Sequence, residues 1–239
     1  VQGEVARSVQ EPAGLAGCLA TGSVVRHALG GRRFLMAHTV RHAGPNPGVV
    51  LRGSDDLRAW HLVGDGPALT LADDRDGHYE AVGTGRRAVP HFRDPFLFEW
   101  DGALHFMVCA SREVAGRGGT VAVARWDGEQ WRLLPPPELP AICDELECPQ
   151  VHADGPNDWR LVFSTNRDWI DPAVANASGV YTFRGPTPLG PWSDFRSLHT
   201  DNLYAGQLLR HDGRWLLIGT DFAGRGSLTD PVDVTASVV

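Results

Sequence analysis

Short apolar runs separated by turn residues recur along this chain, and their recurrence is the feature that most limits its possible folds. Dipeptides that favour hairpin turns, Asp101-Gly102, Asp127-Gly128 and Asp212-Gly213, separate several of these runs. Stretches with helical periodicity are almost absent. The sequence therefore predicts an all-β protein, with candidate strands at 22–27, 33–39, 48–52, 95–100, 103–110, 120–125, 150–152, 160–165, 179–183, 207–211 and 214–220.

The runs belong to a larger repeated unit that contains a polar motif, apolar strands around a Gly-containing turn, and a Trp. Copies begin near residues 21, 93, 147 and 202, and the later starts, at Asp94, Glu147 and Asn202, are 53 and 55 residues apart. The four-stranded blades of a β-propeller have about this period. One unit cannot bury its faces alone, so the copies must pack around a common axis. We therefore expect a single β-propeller domain over residues 1–239, in which the first residues of each inner strand converge on one end of the central channel.

Charge and hydropathy argue against two classes of partner. The net charge is −7, and the 22 basic residues are scattered rather than clustered, so we expect no nucleic acid as the main partner. No apolar run approaches the roughly 20 residues of a membrane span, and no signal peptide opens the chain. We expect a soluble protein that does not bind membranes and that is either cytoplasmic or secreted and processed. The sequence does not indicate an oligomeric state.

Cysteine and histidine form no motif for a metal or a cofactor. The four cysteines are Cys18, Cys109, Cys143 and Cys148. They are too few and too dispersed for a disulfide framework, and none forms a Cys-x-x-Cys pair. Cys109 lies in an apolar run and is expected to be a buried thiol, with a Cys143–Cys148 bridge as an alternative pairing. The spacing of His38, His42 and His91 matches no compact metal motif, so we expect no metal and no cofactor.

Asp94 and Glu147 are the residues with the strongest claim to chemistry. Each opens a repeat beside a proline, in Arg93-Asp94-Pro95 and in Glu147-Cys148-Pro149, and the two repeats are neighbours. Glycoside hydrolysis uses two carboxyl groups, one protonated to donate to the leaving oxygen and one that sustains the developing positive charge. The alternative interpretation is a turn capped by Asp and an exposed loop. The matching register of the pair favours the functional interpretation.

The segments around these carboxylates resemble glycoside hydrolase family 32. The quoted motifs are His91-Phe92-Arg93-Asp94-Pro95-Phe96, Trp100-Asp101-Gly102 and Glu147-Cys148-Pro149-Gln150. That family includes invertases, levanases and inulinases, and families 68 and 43 are its relatives. Weaker matches are residues 17–23, similar to the family's Trp-Ser-Gly-Ser segment, residues 54–60, and residues 202–207, similar to its Asp-Phe-Tyr-Ala-Pro-Gln segment. The resemblance extends over about residues 14–221.

This resemblance implies a five-bladed propeller that acts, with retention of configuration, on a fructosyl or other furanosyl unit of a small-molecule or oligosaccharide substrate. It implies that Asp94 is the transition-state stabiliser and that Glu147 is the general acid/base. Arg93 would orient the carboxylates or bind sugar, and Tyr204 and Gln207 would line the pocket.

Three further side chains are candidates for substrate binding. His91 and Phe92 directly precede the Arg-Asp-Pro motif and are candidates for the pocket wall. Trp169 lies in a polar loop after a strand of the third repeat, where an aromatic side chain forms a platform for a sugar ring. Asp168 and Asp171 in the same loop are expected to cap turns.

One element of the family pattern is missing. The family's nucleophile is an Asp in an Asn-Asp-Pro-Asn motif that opens its first blade, and residues 1–19 contain no Asp. Three explanations remain open. The chain is a fragment or processed form whose first blade lies upstream, or an incomplete propeller that binds sugar without hydrolysing it, or a scaffold adapted to other chemistry that retains Glu147 as an acid.

Overall fold

The computed structural model describes residues 21–40, 48–80, 91–114, 116–200, 203–221 and 226–238. Almost all regular structure in these ranges is β. The strands form four antiparallel sheets that follow one another along the chain, and a single turn of α-helix, Thr235–Val238, ends the described part. No helix in these ranges is long and apolar enough to cross a bilayer.

Each sheet corresponds to one predicted repeat, and we number them as blades one to four. Blade one contains β1 (Gly22–Val25), β2 (Phe34–Val40), β3 (Gly48–Ser54), β4 (His61–Leu62) and β5 (Leu69–Thr70). Blade two contains β6 (Phe92–Trp100), β7 (Ala103–Ser111), β8 (Gly119–Trp126) and β9 (Trp131–Leu133). Blade three contains β10 (Glu147–Gly155), β11 (Asp158–Thr165), β12 (Gly179–Gly185) and β13 (Ser193–His199). Blade four contains β14 (Leu203–His211), β15 (Arg214–Asp221), β16 (Ser227–Leu228) and β17 (Val232–Asp233).

The first strands of the blades face a common axis. Strand β6 contacts β1 on one side and β10 on the other, and β10 also contacts β14. Residues from the starts of all four blades line one narrow cavity: Thr21, Gly22, Asp94, Pro95, Phe96, Cys148, Pro149, Gln150 and Gln207. The predicted propeller and the predicted convergence of the repeat openings are both confirmed. We call the end of the axis where these strands begin the mouth.

The core lies between neighbouring blades, which explains why several strands read as continuous apolar runs. Along β7, Phe106 and Val108 pack with residues of blade one, whereas Met107 packs with residues of blade three. Successive side chains of a strand point to opposite faces, so a strand covered on both faces needs apolar residues at every position. Burying one such side chain contributes about 1.5–3 kcal/mol.

Tight turns close the hairpins at the end opposite the mouth. Asp101 and Gly102 have φ of 49° and 68°, and Asp212 and Gly213 have φ of 50° and 76°. Positive φ at both central residues is the geometry of two-residue hairpins that match the strand twist. Both turns were predicted from their Asp-Gly sequences.

The inner strands begin earlier than predicted. The sequence suggested starts at residues 95, 150 and 207, but β6, β10 and β14 begin at Phe92, Glu147 and Leu203. Each of these strands continues through an irregularity in pairing, which lies between Arg93 and Phe96 in β6, for example. Strand β13 was not predicted, because most of its residues are exposed and it carries little apolar signal.

Candidate active site

The same irregularity recurs at the mouth end of three inner strands and sets the register of the site. The residues before it, Arg93, Glu147 and Tyr204, pair with Cys109, Ser164 and Thr220 of the following strands. The residues within it, Asp94, Cys148 and Ala205, have φ of 63°, 49° and 48°. Non-glycine residues in this region cost about 1–3 kcal/mol and cluster at functional sites.

This equivalence corrects the predicted register by one residue. Asp94 was expected to occupy the same position as Glu147 in the neighbouring repeat. In the structure Glu147 is equivalent to Arg93, and Asp94 is equivalent to Cys148. The two carboxylates nevertheless lie in adjacent blades at the same end of the axis, because one residue separates their positions along equivalent strands.

Glu147 joins the three equivalent positions through hydrogen bonds. Arg93 Nη2 donates to Glu147 Oε1 at 2.5 Å, and the Tyr204 hydroxyl donates to Glu147 Oε2. Burial by itself would lower the pKa of Arg93, but the carboxylates of Glu147 and Asp94 outweigh it and raise the pKa. Burial and the adjacent charge of Glu147 raise the pKa of Tyr204 well above its ordinary value. Arg93 is therefore charged and Tyr204 protonated, so both act as donors.

Asp94 is held by groups from three blades. Its Oδ1 accepts from the Thr21 hydroxyl, and its Oδ2 accepts from the Cys148 backbone N–H at 3.1 Å. Its own backbone N–H donates to Thr39 Oγ1 at 2.8 Å. The side chain is 7% exposed, and Arg93 Nε lies 3.7 Å from Oδ2. These contacts fix the orientation of a buried carboxylate beside the axial cavity.

A third carboxylate, Glu145, lies at the site and was not predicted. His91 Nε2 is 2.9 Å from Glu145 Oε1, and Arg93 Nη2 is 3.6 Å from the same oxygen. Burial alone would raise the pKa of Glu145, but the hydrogen bond from His91 and the charge of Arg93 lower it. The available signal was spacing: Glu145 and Glu147 are two residues apart, and in extended chain that spacing places two side chains on one side.

The other predicted substrate-binding residues fall into different environments. Phe92 is fully buried among apolar side chains of blades one and two, so we reassign it to the core. His91 is buried and faces Glu145. Gln207 is exposed and lines the axial cavity. Trp169 is half-buried at the end of a 3-10 turn, Arg167–Trp169. Its carbonyl oxygen accepts a hydrogen bond from the N–H of Asp144 at 2.7 Å, which joins this turn to the residue that precedes Glu145.

The cysteines near the site are thiols. Cys109, Cys143 and Cys148 are buried and free, so the alternative Cys143–Cys148 bridge is not formed. Burial raises the pKa of Cys143 to about 12, and burial together with Asp94 raises that of Cys148 well above its ordinary value. These groups are neutral thiols rather than thiolate nucleophiles. Cys18 and His42 lie outside the described residues, and in the described ranges no cluster of three or more His, Cys, Asp or Glu side chains could hold a metal ion.

The arrangement places three carboxylates, Asp94, Glu145 and Glu147, around the guanidinium of Arg93 at one end of the axis. Such a group can hold sugar hydroxyls, exchange a proton with a bound ligand and stabilise positive charge. Glu147 is the most accessible of the three, with 23% of its side chain exposed against 11% for Glu145 and 7% for Asp94.

Comparisons of sequence and of structure give different results. No protein-family model matches the sequence, and no curated protein is similar to it. Solved structures do match. An inulosucrase from Halalkalicoccus jeotgali bound to kestose aligns with a TM-score of 0.56 and 18% identity over 82% of this chain and 57% of its own. The chain has the fold of propeller fructosyl enzymes.

Two further propellers support this statement. A fructofuranosidase variant from Schwanniomyces occidentalis complexed with fructosylnystose aligns with a TM-score of 0.61 and 16% identity, over 85% of this chain and 40% of its own. A levansucrase from Gluconacetobacter diazotrophicus aligns with a TM-score of 0.57 and 14% identity, over 84% of this chain and 56% of its own. The chain thus spans about half the length of the structures that it matches. The predicted resemblance to propeller fructosidases is confirmed at the level of the fold.

Proposed function

We propose that this propeller binds a fructosyl or related furanosyl saccharide at its mouth and acts on the glycosidic bond, with Glu147 as general acid/base and Asp94 as transition-state stabiliser. One observation carries the proposal. Asp94 Oδ2 accepts from the N–H of Cys148, the residue next to Glu147, so the two carboxylates belong to one hydrogen-bonded unit across a blade boundary. The matched enzymes act on fructosyl saccharides, which favours that substrate class.

The environments of the two carboxylates suit different roles. Asp94 is buried and fixed by donors from Thr21 and Cys148, as expected for a group that holds negative charge near a developing oxocarbenium ion. Glu147 is more exposed and reaches the mouth, as expected for a group that exchanges a proton with the substrate and with water.

A second function, saccharide binding without hydrolysis, is favoured by the hydrogen bonds that Glu147 already makes within the protein. Both of its oxygens accept hydrogen bonds, one from Arg93 and one from Tyr204. A ligand that takes a hydrogen bond from Glu147 therefore competes with these two partners for the carboxyl group.

Replacement of one carboxylate separates the two functions. The protein is incubated with sucrose, inulin, levan and an aryl furanoside, and released sugar is measured for the wild type, Glu147→Gln and Glu129→Gln. We expect Glu147→Gln to lower the rate by about 10²–10⁴, the usual contribution of general acid–base catalysis. Glu129 lies in an exposed turn outside the site, so Glu129→Gln is the matched control and should retain the wild-type rate.

Calorimetric titration with the same saccharides decides between the outcomes. Hydrolysis that survives Glu147→Gln contradicts the catalytic assignment. Binding without any turnover, unchanged in Glu147→Gln, identifies a saccharide-binding protein. Absence of both binding and turnover contradicts the proposal as a whole.

A further inference from the structure

The side chain of Gln150, three residues after Glu147, joins blade three to the first residues of β14 in blade four. Gln150 is buried, with only 1% of the residue exposed. Its Nε2 donates to the Gly206 carbonyl oxygen at 2.6 Å, and its Oε1 accepts from the Leu208 backbone N–H at 3.0 Å. The carboxamide therefore takes the place of a neighbouring strand for two backbone groups of β14.

The backbone groups that Gln150 binds belong to an irregularity in pairing. Two residues of β14, Ala205 and Gly206, stand opposite the single residue Gly219 of β15. A bulge of this kind leaves a residue without a partner in its own sheet. Buried backbone groups need hydrogen-bond partners, and blade three supplies both for Gly206: Gln150 binds its carbonyl oxygen, and Ser164 Oγ accepts from its N–H at 3.3 Å.

The partners of the carboxamide fix which of its ends faces which group. A backbone N–H can only donate and a carbonyl oxygen can only accept, so Oε1 of Gln150 faces Leu208 and Nε2 faces Gly206. His152 Nε2 lies 3.3 Å from the same Oε1. Burial lowers the pKa of His152 to about 4, so its ring is neutral near pH 7 and donates from Nε2. This position therefore needs a side chain that carries a donor and an acceptor at its end.

The bulge that Gln150 holds carries a residue of the candidate site. Gly206 is two residues after Tyr204, whose hydroxyl donates to Glu147 Oε2. Strands β10 and β14 are thus joined twice within a few residues, once by Gln150 and once by the hydrogen bond between Tyr204 and Glu147. Without the carboxamide, two backbone groups of β14 lose a partner, and the segment that carries Tyr204 can shift relative to Glu147.

We infer that Gln150 is a positioning residue, which holds β14 so that the Tyr204 hydroxyl stays against Glu147. The inference rests on the proposed function and gives Gln150 a role that it performs through Tyr204 rather than through contact with the saccharide. Its substitution should therefore matter only while the Tyr204 hydroxyl is present.

A double-mutant cycle tests this dependence. Gln150→Met removes the donor and the acceptor with little change in side-chain length. The turnover rate with sucrose and with an aryl furanoside, or 1/Kd where the compound is bound but not cleaved, is measured for the wild type, Gln150→Met, Tyr204→Phe and the double variant. We expect Gln150→Met to lower this quantity by about tenfold to a hundredfold, the size that small misplacements reach. In the Tyr204→Phe background the same change should cost less than about threefold, because the positioned group is absent.

Gln150→Glu provides a second test, which decides alone if Gln150→Met does not fold. A protonated Glu carboxyl has one donor and one acceptor, as the carboxamide has, whereas the ionised form has no donor for Gly206. Burial raises the pKa of a carboxyl group, so the protonated form is within reach of mild acid. The ratio of variant to wild type should therefore rise about tenfold as the pH falls from about 8 to about 5. Gln130→Glu, in an exposed turn of blade two, is the matched control and should show a constant ratio.

Urea unfolding at each pH shows that every variant is folded under the assay conditions. Either an equal loss in the two backgrounds or a constant ratio for Gln150→Glu would mean that Gln150 serves the fold alone, and it overturns the inference while the proposed function stands. A wild-type protein that neither binds nor cleaves the two compounds overturns both.

Discussion

At the scale of single residues, the site is organised by Arg93, which faces several carboxylates at once. Its guanidinium donates to Glu147 at 2.5 Å and lies 3.6 Å from Glu145 and 3.7 Å from Asp94. Removing any one carboxylate changes the charge that the others experience. Effects of substitutions within this group are therefore not additive, since contacting residues couple by about 0.5–3 kcal/mol.

The Glu145–His91 contact predicts a pH dependence of stability. The pKa of Glu145 in the folded protein lies below its ordinary value of 4.5, so this group stabilises the fold above that pH, and the contribution is lost as the pH falls toward the folded pKa. We expect Glu145→Gln to be less stable than the wild type near neutral pH. The difference should shrink between about pH 5 and pH 3. Urea unfolding across this range measures the effect.

The comparison protein for that measurement is Glu129→Gln, which removes a carboxylate from an exposed turn. The difference in free energy of unfolding between this variant and the wild type should be the same at every pH. A Glu145→Gln deficit that stays constant from neutral to acidic pH would show that the carboxylate charge plays no part.

At the scale of single elements, the start of β14 depends on a glycine in its partner strand. A Cβ added at Gly219 would lie 2.4 Å from Leu203 Cδ2 and 2.7 Å from the Tyr204 carbonyl oxygen. The backbone of β15 can therefore approach β14 at this position only without a side chain. The position of Tyr204, and hence its hydrogen bond to Glu147, depends on that close approach.

Gly219→Ala should therefore affect both stability and the site. Overpacking of this kind costs about 1–3 kcal/mol, and displacement of Tyr204 should reduce saccharide turnover or binding. Gly155→Ala is the matched control, because an added Cβ there meets nothing within 4 Å, and its stability should change by less than about 0.5 kcal/mol. Thermal unfolding and saccharide titration of the two variants provide the test. If the two variants have the same stability and the same saccharide binding, β14 accommodates the added Cβ and the position of Tyr204 does not depend on Gly219.

The elements also show which parts of the structure the sequence could reveal. Strand β7 was predicted because it is covered on both faces and its apolar run is uninterrupted. Strand β13 was missed because an exposed edge strand with Asp194 and Arg196 carries little apolar signal. The late starts predicted for β6 and β10 have a different cause. Each proline was interpreted as the end of a turn, so the strands were expected to begin at Pro95 and just after Pro149, whereas both prolines lie inside strands at an irregularity in pairing.

The site was predictable where a repeated motif marked it. Asp94, Glu147 and Tyr204 open repeats, and the structure brings all three to the mouth. Glu145 lies before its repeat, and its counterpart two residues before Arg93 is His91 rather than a second acid, so the repeat pattern does not mark it as a carboxylate of the site. Phe92 was assigned to the pocket by its position next to Arg93, but neighbouring side chains of a strand point to opposite faces.

At the scale of the whole molecule, stability comes from the boundaries between blades. Apolar side chains of blades two and three form one buried cluster between the sheets, in which Phe163 of blade three is fully buried together with Met107 and Val123 of blade two. Each large apolar core in the described residues is shared by two neighbouring sheets: blades one and two, blades two and three, and blades three and four. The blades are therefore expected to unfold together rather than one at a time.

Truncation of one boundary residue tests this cooperativity. We expect Phe163→Ala to cost about 3–5 kcal/mol, the range for a buried Phe, and to lower the unfolding midpoint equally by far-UV circular dichroism and by tryptophan fluorescence. Phe195→Ala, at a half-buried position on the outer strand β13, should cost less. Midpoints that separate between the two probes would mean that the blades unfold independently.

The repeated left-handed residue at the mouth has a consequence for how such a molecule changes over generations. Asp94, Cys148 and Ala205 give three strands the same local backbone path. The residues just before them, Arg93, Glu147 and Tyr204, therefore occupy equivalent positions. Arginine, glutamate and tyrosine side chains stand at these positions, and the backbone follows the same course in all three strands. Specificity can therefore diversify there by single-codon exchanges, while the surrounding architecture is left untouched.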